Sequence, residues 1–235
     1  DENGNVYSCG RNNYGQLGHG NINNYNFPAI IDALNGSNIV AISAGRSHSL
    51  FLDETGNVYS CGWNSYNQLG RIINTGYDNI PKQITDTIGT STIVAICTGA
   101  YHSLFLHENG NVYSCGRNDN GELGRTGDSR TPKQITDTIG NSNIVAISAG
   151  IQHSLFLDEN GNVYSCGRNN YGQLGRTTDN TKIPLQITET IGDSIIVAIS
   201  AGAVHSLFIS IDIVTVTVTE LLSSTSLGGG GDAVE

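Results

Sequence analysis

A histidine followed directly by a serine occurs four times in the chain, and this pair is the first candidate for chemistry. The pairs are His48-Ser49, His102-Ser103, His153-Ser154 and His205-Ser206. A histidine beside a serine can act as the base that activates a nucleophilic hydroxyl, provided that an acid orients its ring. No acid follows at a matching place in the copies, and an enzyme does not need the same dyad in every repeat. The pattern therefore predicts structural histidines, each hydrogen-bonded to a neighbouring loop.

Cysteine is the second reactive residue type with a regular spacing. Cys9, Cys61, Cys115 and Cys166 fill one position of a repeat, and Cys97 replaces a serine at another position. A disulfide needs Cα atoms within about 7 Å, whereas equivalent positions in neighbouring units of a radial array are usually farther apart. No two cysteines have the close spacing of a structural zinc site. We therefore expect reduced thiols, no metal, no cofactor, and an intracellular location in the cytoplasm or the nucleus.

These residues belong to a repeat of about fifty residues. The segment Val-Tyr-Ser-Cys-Gly at residues 6–10 returns unchanged at residues 58–62, 112–116 and 163–167. A period of this length is typical of stacked or radial units that cannot bury their apolar faces alone. A residue that recurs in every unit is therefore expected to have an architectural role.

One unit is predicted to contain four antiparallel strands. The apolar segment 39–44 is expected to be the innermost strand, buried on both faces. Segments 48–52 and 58–61 flank a Glu-Thr-Gly-Asn turn, which favours a hairpin because Gly and Asn accept positive φ. Segment 81–85 is predicted to be a polar outermost strand, since Pro is confined to edge strands. Four antiparallel strands per unit form the blade of a β-propeller, and the 14 % charged residues and 30 glycines suit short strands with tight turns.

Two motifs of the repeat resemble a known family. Val-Ala-Ile-x-Ala-Gly-x-x-His-Ser-Leu is followed by Gly-Asn-Val-Tyr-x-x-Gly-x-Asn-x-x-Gly-Gln-Leu-Gly. Together they resemble the repeat of the regulator of chromosome condensation family, over residues 1 to about 209. The chain has Cys where that family often has Trp, and it supplies about four blades where the family usually closes with seven. The resemblance implies an all-β propeller that binds other proteins through one face. The founding member of the family is the nucleotide exchange factor for the GTPase Ran, and it also docks on chromatin.

The two ends of the repeat region leave the size of the ring open. We expect a half blade at residues 1–37, blades at 38–91, 92–142 and 143–193, and a second half blade at 194–209. Joined together, the two halves would close a four-bladed ring, the lower limit for propellers. The alternative is a fragment of a seven-bladed ring, which the absence of Met favours. Residues 210–222, in which Val and Thr alternate from 214 to 219, are predicted to form an extra strand, and residues 223–235 a flexible tail.

All 11 Lys and Arg residues are predicted to lie on one face of the propeller. In an up-and-down blade, the turns between strands one and two and the long loops between strands three and four emerge on the same side, here called the loop face. The cations fall in these segments, whereas the hairpins and the links between blades on the other side carry most carboxylates. The net charge of −10 thus conceals two faces of opposite sign, which would steer an acidic partner to the loop face.

The recurrent arginines of the loop face are candidates for partner binding and fall into two sets. The outer set, expected to face solvent, comprises Arg71, Arg125 and Arg176, and the inner set comprises Arg11, Arg117 and Arg168. The inner set could instead pack against backbone carbonyls. Replacing the outer set by Glu is expected to abolish partner binding without unfolding the chain.

Aromatic residues accompany these arginines. Trp63 stands where other repeats have Arg, and Tyr14, Tyr66 and Tyr171 lie in the same loops. Exposed tryptophan and tyrosine beside arginine favour an interface anchor, although Trp63 could also merely cap its loop.

The sequence supports three functional hypotheses. The first is a non-enzymatic scaffold for protein–protein interactions that binds an acidic protein surface through the loop face. The second is guanine-nucleotide exchange on a small GTPase. The third, less favoured, is binding of nucleic-acid phosphates through the same arginines. The chain has no 18-residue apolar run, so we expect no membrane span.

Overall fold

The computed structural model describes residues 4–85, 88, 92–188 and 194–211. An initial half blade contains β1 (Tyr7–Gly10) and β2 (Tyr25–Ile30), followed by a 3-10 turn at Asp32–Leu34. The first blade contains β3 (Ile39–Ala44), β4 (His48–Asp53), β5 (Val58–Trp63) and β6 (Tyr77–Gln83). The second blade contains β7 (Ile93–Thr98), β8 (His102–His107), β9 (Val112–Gly116) and β10 (Lys133–Gln134). The third blade contains β11 (Ile144–Ala149), β12 (His153–Asp158), β13 (Val163–Gly167) and β14 (Thr181–Gln186). A final half blade contains β15 (Ile195–Ala201) and β16 (Ser206–Ile211).

Each complete blade is one antiparallel sheet whose four strands lie side by side in chain order, which confirms the predicted all-β blades. The hairpin between β4 and β5 shows why the chain turns there. The carboxylate of Asp53 accepts hydrogen bonds from the backbone N–H groups of Thr55 and Asn57, each at 2.9 Å. Gly56 between them has a φ of 88°, a conformation that glycine adopts without steric cost. The turn is therefore encoded by local residues.

The two half blades remain separate sheets. β1 pairs only with β2, and β15 pairs only with β16, in the part of the chain that the structure describes. A closed four-bladed ring would need β16 to pair with β1. The described strands instead form an open series of blades, as in part of a larger propeller. The predicted extra strand and tail, residues 210–222 and 223–235, lie outside the described residues except for 210 and 211.

The hydrophobic core lies between neighbouring blades. Side chains of β4 alternate between the two sides of its sheet, as in any strand. Leu50 and Leu52 pack with Phe105 of the second blade, whereas Phe51 packs with Ile31 of the initial half blade. Complete burial of one such side chain stabilises the fold by about 1.5–3 kcal/mol. Each blade thus depends on both of its neighbours for stability.

The innermost strands are only partly buried, so the prediction that they are covered on both faces is wrong. In β3, the side chains of Val40 and Ile42 are 64 % and 65 % exposed. Val94 of β7 and Val145 of β11 are each 51 % exposed. These strands pair on one side only, at the inner edge of each sheet. Some of their side chains pack towards a neighbouring blade, and the others face open space.

The long loop of each blade packs against the outer strand of the next blade. β6 begins at Tyr77 rather than at Pro81, because an edge strand accepts a proline within it. Pro81 is buried. If Gly18 of the preceding loop carried a Cβ, that atom would lie only 3.0 Å from Cγ of Pro81. The same approach, at 3.1 Å, recurs for the pairs Gly70–Pro132 and Gly124–Pro184. The last glycine of each loop motif therefore allows close contact between blades.

Candidate functional site

The repeated histidines lie at the interfaces between blades. His48, His102 and His153 are at most 1 % exposed. Their Nε2 atoms lie 3.0, 2.9 and 3.1 Å from the hydroxyl oxygens of Ser103, Ser154 and Ser206 on the following blade. Each of these hydroxyls donates to a loop carbonyl of the histidine's own blade at 2.7 Å. We call this arrangement the histidine clasp. His205 in the final half blade is exposed, and no serine bonds its ring within the described ranges.

The direction of these hydrogen bonds argues against a catalytic dyad. Because the Ser103 hydroxyl donates its hydrogen bond to the carbonyl of Gln68, its oxygen must accept the hydrogen bond from the Nε2–H of His48, whereas base activation requires the ring nitrogen to accept from the hydroxyl. Burial lowers the pKa of His48 to about 4, that of His102 to about 3 and that of His153 to about 4. The rings are therefore neutral at pH 7. Each ring bonds a serine of the next blade, and not directly a loop as the sequence suggested.

Gly99→Ala is expected to destabilise the fold by about 1–3 kcal/mol, the usual cost of overpacking. A Cβ on Gly99 would lie 2.1 Å from Cε1 of His102 and 2.6 Å from the carbonyl oxygen of Gly150. The ring cannot move away, because the clasp to Ser154 fixes it. Gly76→Ala is the matched control, since its Cβ would meet only Ser65 Oγ at 3.7 Å. Thermal unfolding should separate the two variants, and equal melting temperatures would contradict the clasp.

Arg71, Arg125 and Arg176 anchor the long loops to the third strand of their own blades. Arg71 and Arg125 are only 8 % and 4 % exposed, so the expectation that they face solvent is wrong. Arg125 donates from Nε to Ser114 Oγ at 3.0 Å and from Nη2 to the Ser114 carbonyl at 2.7 Å. Arg71 bonds Ser60 from the same two atoms, and Arg176 bonds the hydroxyl and the carbonyl of Ser165 from Nη1 and Nη2. The loop folds back over the strand, which brings the arginine beside that serine. Burial lowers the pKa of Arg125 and Arg176.

A cluster of aromatic and arginine side chains lies on the loop face, across the initial half blade and the first two blades. This aromatic–arginine cluster comprises Tyr14, Arg46, Trp63, Tyr66, Tyr101 and Arg117. The ring of Trp63 is central: its centroid lies 5.6 Å from Tyr14, 5.4 Å from Tyr66 and 5.6 Å from Tyr101. The last two contacts are edge-to-face, a geometry that aromatic pairs favour. Three blades thus contribute to one continuous surface.

Two guanidinium groups stack on these rings. The Cζ of Arg46 lies 5.5 Å from the ring centre of Tyr101, and its Nη1 donates to the Tyr101 hydroxyl. The Cζ of Arg117 lies 5.3 Å from the ring centre of Tyr66 and 5.6 Å from that of Tyr101. Arg117 also pairs with Asp119 at 2.6 Å, whereas Arg46 has no carboxylate within 4.0 Å in the described ranges. Such cation–π contacts contribute about 0.5–2 kcal/mol each and hold the cations in place.

The cluster includes only some of the residues that the sequence indicated. Arg168 and Tyr171 form a separate pair, with the Arg168 Cζ 5.9 Å from the ring centre and Tyr171 71 % exposed. Asn120 takes the place of the tyrosine in the second blade, which interrupts the aromatic series. Arg11 is exposed and contacts none of these rings.

The sequence pattern did not indicate Arg46 and Tyr101 as binding residues. Both lie in turns between the first and second strands, and these turns were predicted on the loop face. Their position in these turns could therefore have identified them as candidates for partner binding. Their mutual contact was not predictable, because they lie 55 residues apart and meet only when two blades pack together.

Comparison with known proteins decides the family. The model of the RCC1-like domain matches residues 1–218. The chain belongs to the RCC1-like domain family. The human E3 ubiquitin-protein ligase HERC2 is 31 % identical over 207 residues, which cover 86 % of this chain and 4 % of HERC2. The Protein RCC2 homolog of Xenopus laevis is 33 % identical over 199 residues, which cover 74 % of this chain and 38 % of that protein.

The fold also matches solved structures. The crystal structure of Prp20p from Saccharomyces cerevisiae superimposes with a TM-score of 0.78 at 23 % identity, covering 95 % of this chain. This likeness shows the fold alone. The RCC1-like chain spans 56 % of Prp20p and smaller shares of HERC2 and the RCC2 homolog.

The thiols of this RCC1-like chain are free, and three of them are deeply buried. Cys61, Cys115 and Cys166 are 0 % exposed. Burial raises the pKa of Cys115 to about 12 and also raises the pKa of Cys61 and Cys166. These thiols are protonated at neutral pH and act as small apolar groups. Within the described ranges, no three His, Cys, Asp or Glu side chains group so that they could hold a metal ion, and no helix could cross a membrane.

Proposed function

We propose that this RCC1-like chain is a non-enzymatic module for protein–protein interactions, and that it binds an acidic partner through the loop face. The proposal rests on the aromatic–arginine cluster. Tryptophan, tyrosine and arginine dominate the binding energy of protein interfaces. The cluster offers them on one surface, with guanidinium groups already fixed by ring stacking. Because the side chains are ordered before binding, less conformational entropy is lost on association.

The charge on the loop face also supports an acidic partner. Arg11, Arg46 and Arg168 have no carboxylate within 4.0 Å among the described residues. Arg117 pairs with Asp119 and contributes to the surface by stacking on Tyr66 and Tyr101, whereas Arg130, paired with Asp128, lies outside the cluster. Arg71 and Arg125 are excluded from the proposed surface because they are buried. The proposed site therefore consists of the aromatic–arginine cluster, with Arg11, Arg168 and Tyr171 farther along the same face.

Fluorescence anisotropy with labelled peptides tests this proposal. A Glu-rich peptide is expected to bind, and Gln-rich and Lys-rich peptides of the same length are not. Trp63→Leu and Arg117→Gln are each expected to weaken binding at least about tenfold, as at interface hot spots. Arg130→Gln, which changes an exposed cation outside the cluster, is the matched control. Equal affinity of all these proteins for the Glu-rich peptide would show that the acidic partner binds elsewhere.

A second candidate is nucleotide exchange on a small GTPase. The Prp20p structure is described together with its binding properties to Gsp1p and histones, and this supports a protein partner of that kind. Release of labelled GDP from a small GTPase distinguishes this function. Acceleration by the chain would favour exchange, and an unchanged rate with measurable binding would favour the interaction module.

A further inference from the structure

A groove lies beside the aromatic–arginine cluster, where the innermost strands of successive blades end. It has a volume of about 450 Å³, within the range of ligand pockets. Four equivalent glycines line it: Gly45, Gly99, Gly150 and Gly202. The residues that flank these glycines are mostly alanines. The walls are therefore methyl groups and peptide backbone, which suit a small aliphatic side chain.

One charged side chain borders this groove. Arg46 lies at one end, and Ile151, which is 41 % exposed, lies among the residues from the third blade. No carboxylate is part of the groove lining within the described residues. The guanidinium of Arg46 is held by the Tyr101 ring and hydroxyl. The groove thus combines an apolar cleft with one fixed cation that lacks an anionic partner.

From this juxtaposition we infer that the groove receives a segment of a partner protein in which an aliphatic side chain neighbours an Asp or Glu. The aliphatic side chain fills the cleft between the glycines, and the carboxylate binds the Arg46 guanidinium through charge-assisted hydrogen bonds. A nucleic-acid strand fits poorly, because successive phosphates need several cations and only Arg46 borders the cleft. This inference rests on the proposed function and specifies the chemistry that its partner presents.

Peptide titration followed by NMR tests the inference. The probe is the acetylated and amidated peptide Gly-Glu-Val-Glu-Gly, with Gly-Gln-Val-Gln-Gly and Gly-Glu-Gly-Glu-Gly as controls. The probe is expected to shift the amide signals of the groove glycines, and to change the fluorescence of Trp63, the single tryptophan. Both control peptides should bind more weakly, since one lacks the carboxylates and the other lacks the aliphatic group.

Two variants locate the binding. Arg46→Gln is expected to lower affinity for the probe by about tenfold or more, the effect of losing one charge-assisted bond. Ala203→Leu, at an exposed position of the lining, should block the cleft and abolish the glycine shifts. Absence of glycine shifts at millimolar probe, or equal affinity of both variants and the parent chain, would overturn the inference. If the Glu-rich peptide still bound through Trp63 and Arg117 in that case, the proposed function would stand without the groove.

Discussion

Arg125→Glu is expected to lower the free energy of unfolding by about 3–5 kcal/mol, the cost of leaving a buried charge without a partner. The wild-type guanidinium donates to Ser114 Oγ, to the Ser114 carbonyl and to the Asp128 carbonyl, the last at 2.8 Å. A carboxylate at this place would face two carbonyl oxygens and would lose every one of these bonds. Since a domain of this kind has a total stability of about 5–15 kcal/mol, the variant should lose a large part of its stability.

Urea denaturation followed by far-UV circular dichroism measures the effect. Arg130→Glu is the matched control, because Arg130 is 64 % exposed and pairs only with Asp128. Its denaturation midpoint should remain near that of the parent chain. Arg125→Lys keeps the positive charge but loses the planar fork of donors, so its stability should lie between the two. If Arg125→Glu and Arg130→Glu denature at the same urea concentration, the arginine does not anchor the loop.

The chain is also expected to lose stability as the pH falls from about 6.5 to 4, because of the histidine clasps. Burial lowers the pKa of His48 and His153 to about 4 and that of His102 to about 3, whereas unfolded histidine titrates near about 6.5. In this window the unfolded chain binds more protons than the native one, so stability decreases with decreasing pH. For each histidine, the free energy of unfolding should fall by about 2 kcal/mol between pH 7 and pH 5. The stabilisation should be fully present above pH 6.5.

His102→Gln tests the origin of this dependence. Glutamine can still donate to Ser154, but it does not titrate. The loss of unfolding free energy between pH 7 and pH 5 should therefore be smaller by about 2 kcal/mol than in the parent chain. His107→Gln, which changes a hairpin histidine outside the clasps, is the matched control for the substitution itself. A parent-like acid transition in His102→Gln would mean that other groups cause it.

The buried arginines and the histidine clasps both contribute to the rigidity of the molecule. The buried arginines fix each long loop to its own blade, and the histidine clasps fix each blade to the next. Both sets of bonds lie beneath the loop face and hold Trp63, Tyr66 and Tyr101 in a constant arrangement. The proposed binding surface spans the initial half blade and two complete blades, and small shifts between these blades would separate its residues, so it requires a rigid support.

The sequence by itself determined the all-β blade, most of the strand positions and the family. These features follow from local chemistry: strand alternation between Leu50, Phe51 and Leu52, and turns set by Asp53 and Gly56. Information of this kind extends over a few residues and is therefore visible in a linear chain. The placement of cations in the turns and long loops of each blade was predictable for the same reason.

Tertiary structure alone decided which of the repeated arginines are buried and which are exposed. Arg125 and Arg46 are both arginines in loop-face segments, yet the first lies against Ser114 beneath a folded loop and the second is exposed against Tyr101. The exposed side of the innermost strand at Val40 was equally invisible in the sequence, and the repeat pattern left open whether the two half blades join. Each depends on how one blade covers the next, and contacts between residues about fifty positions apart carry no signature in local pattern or composition.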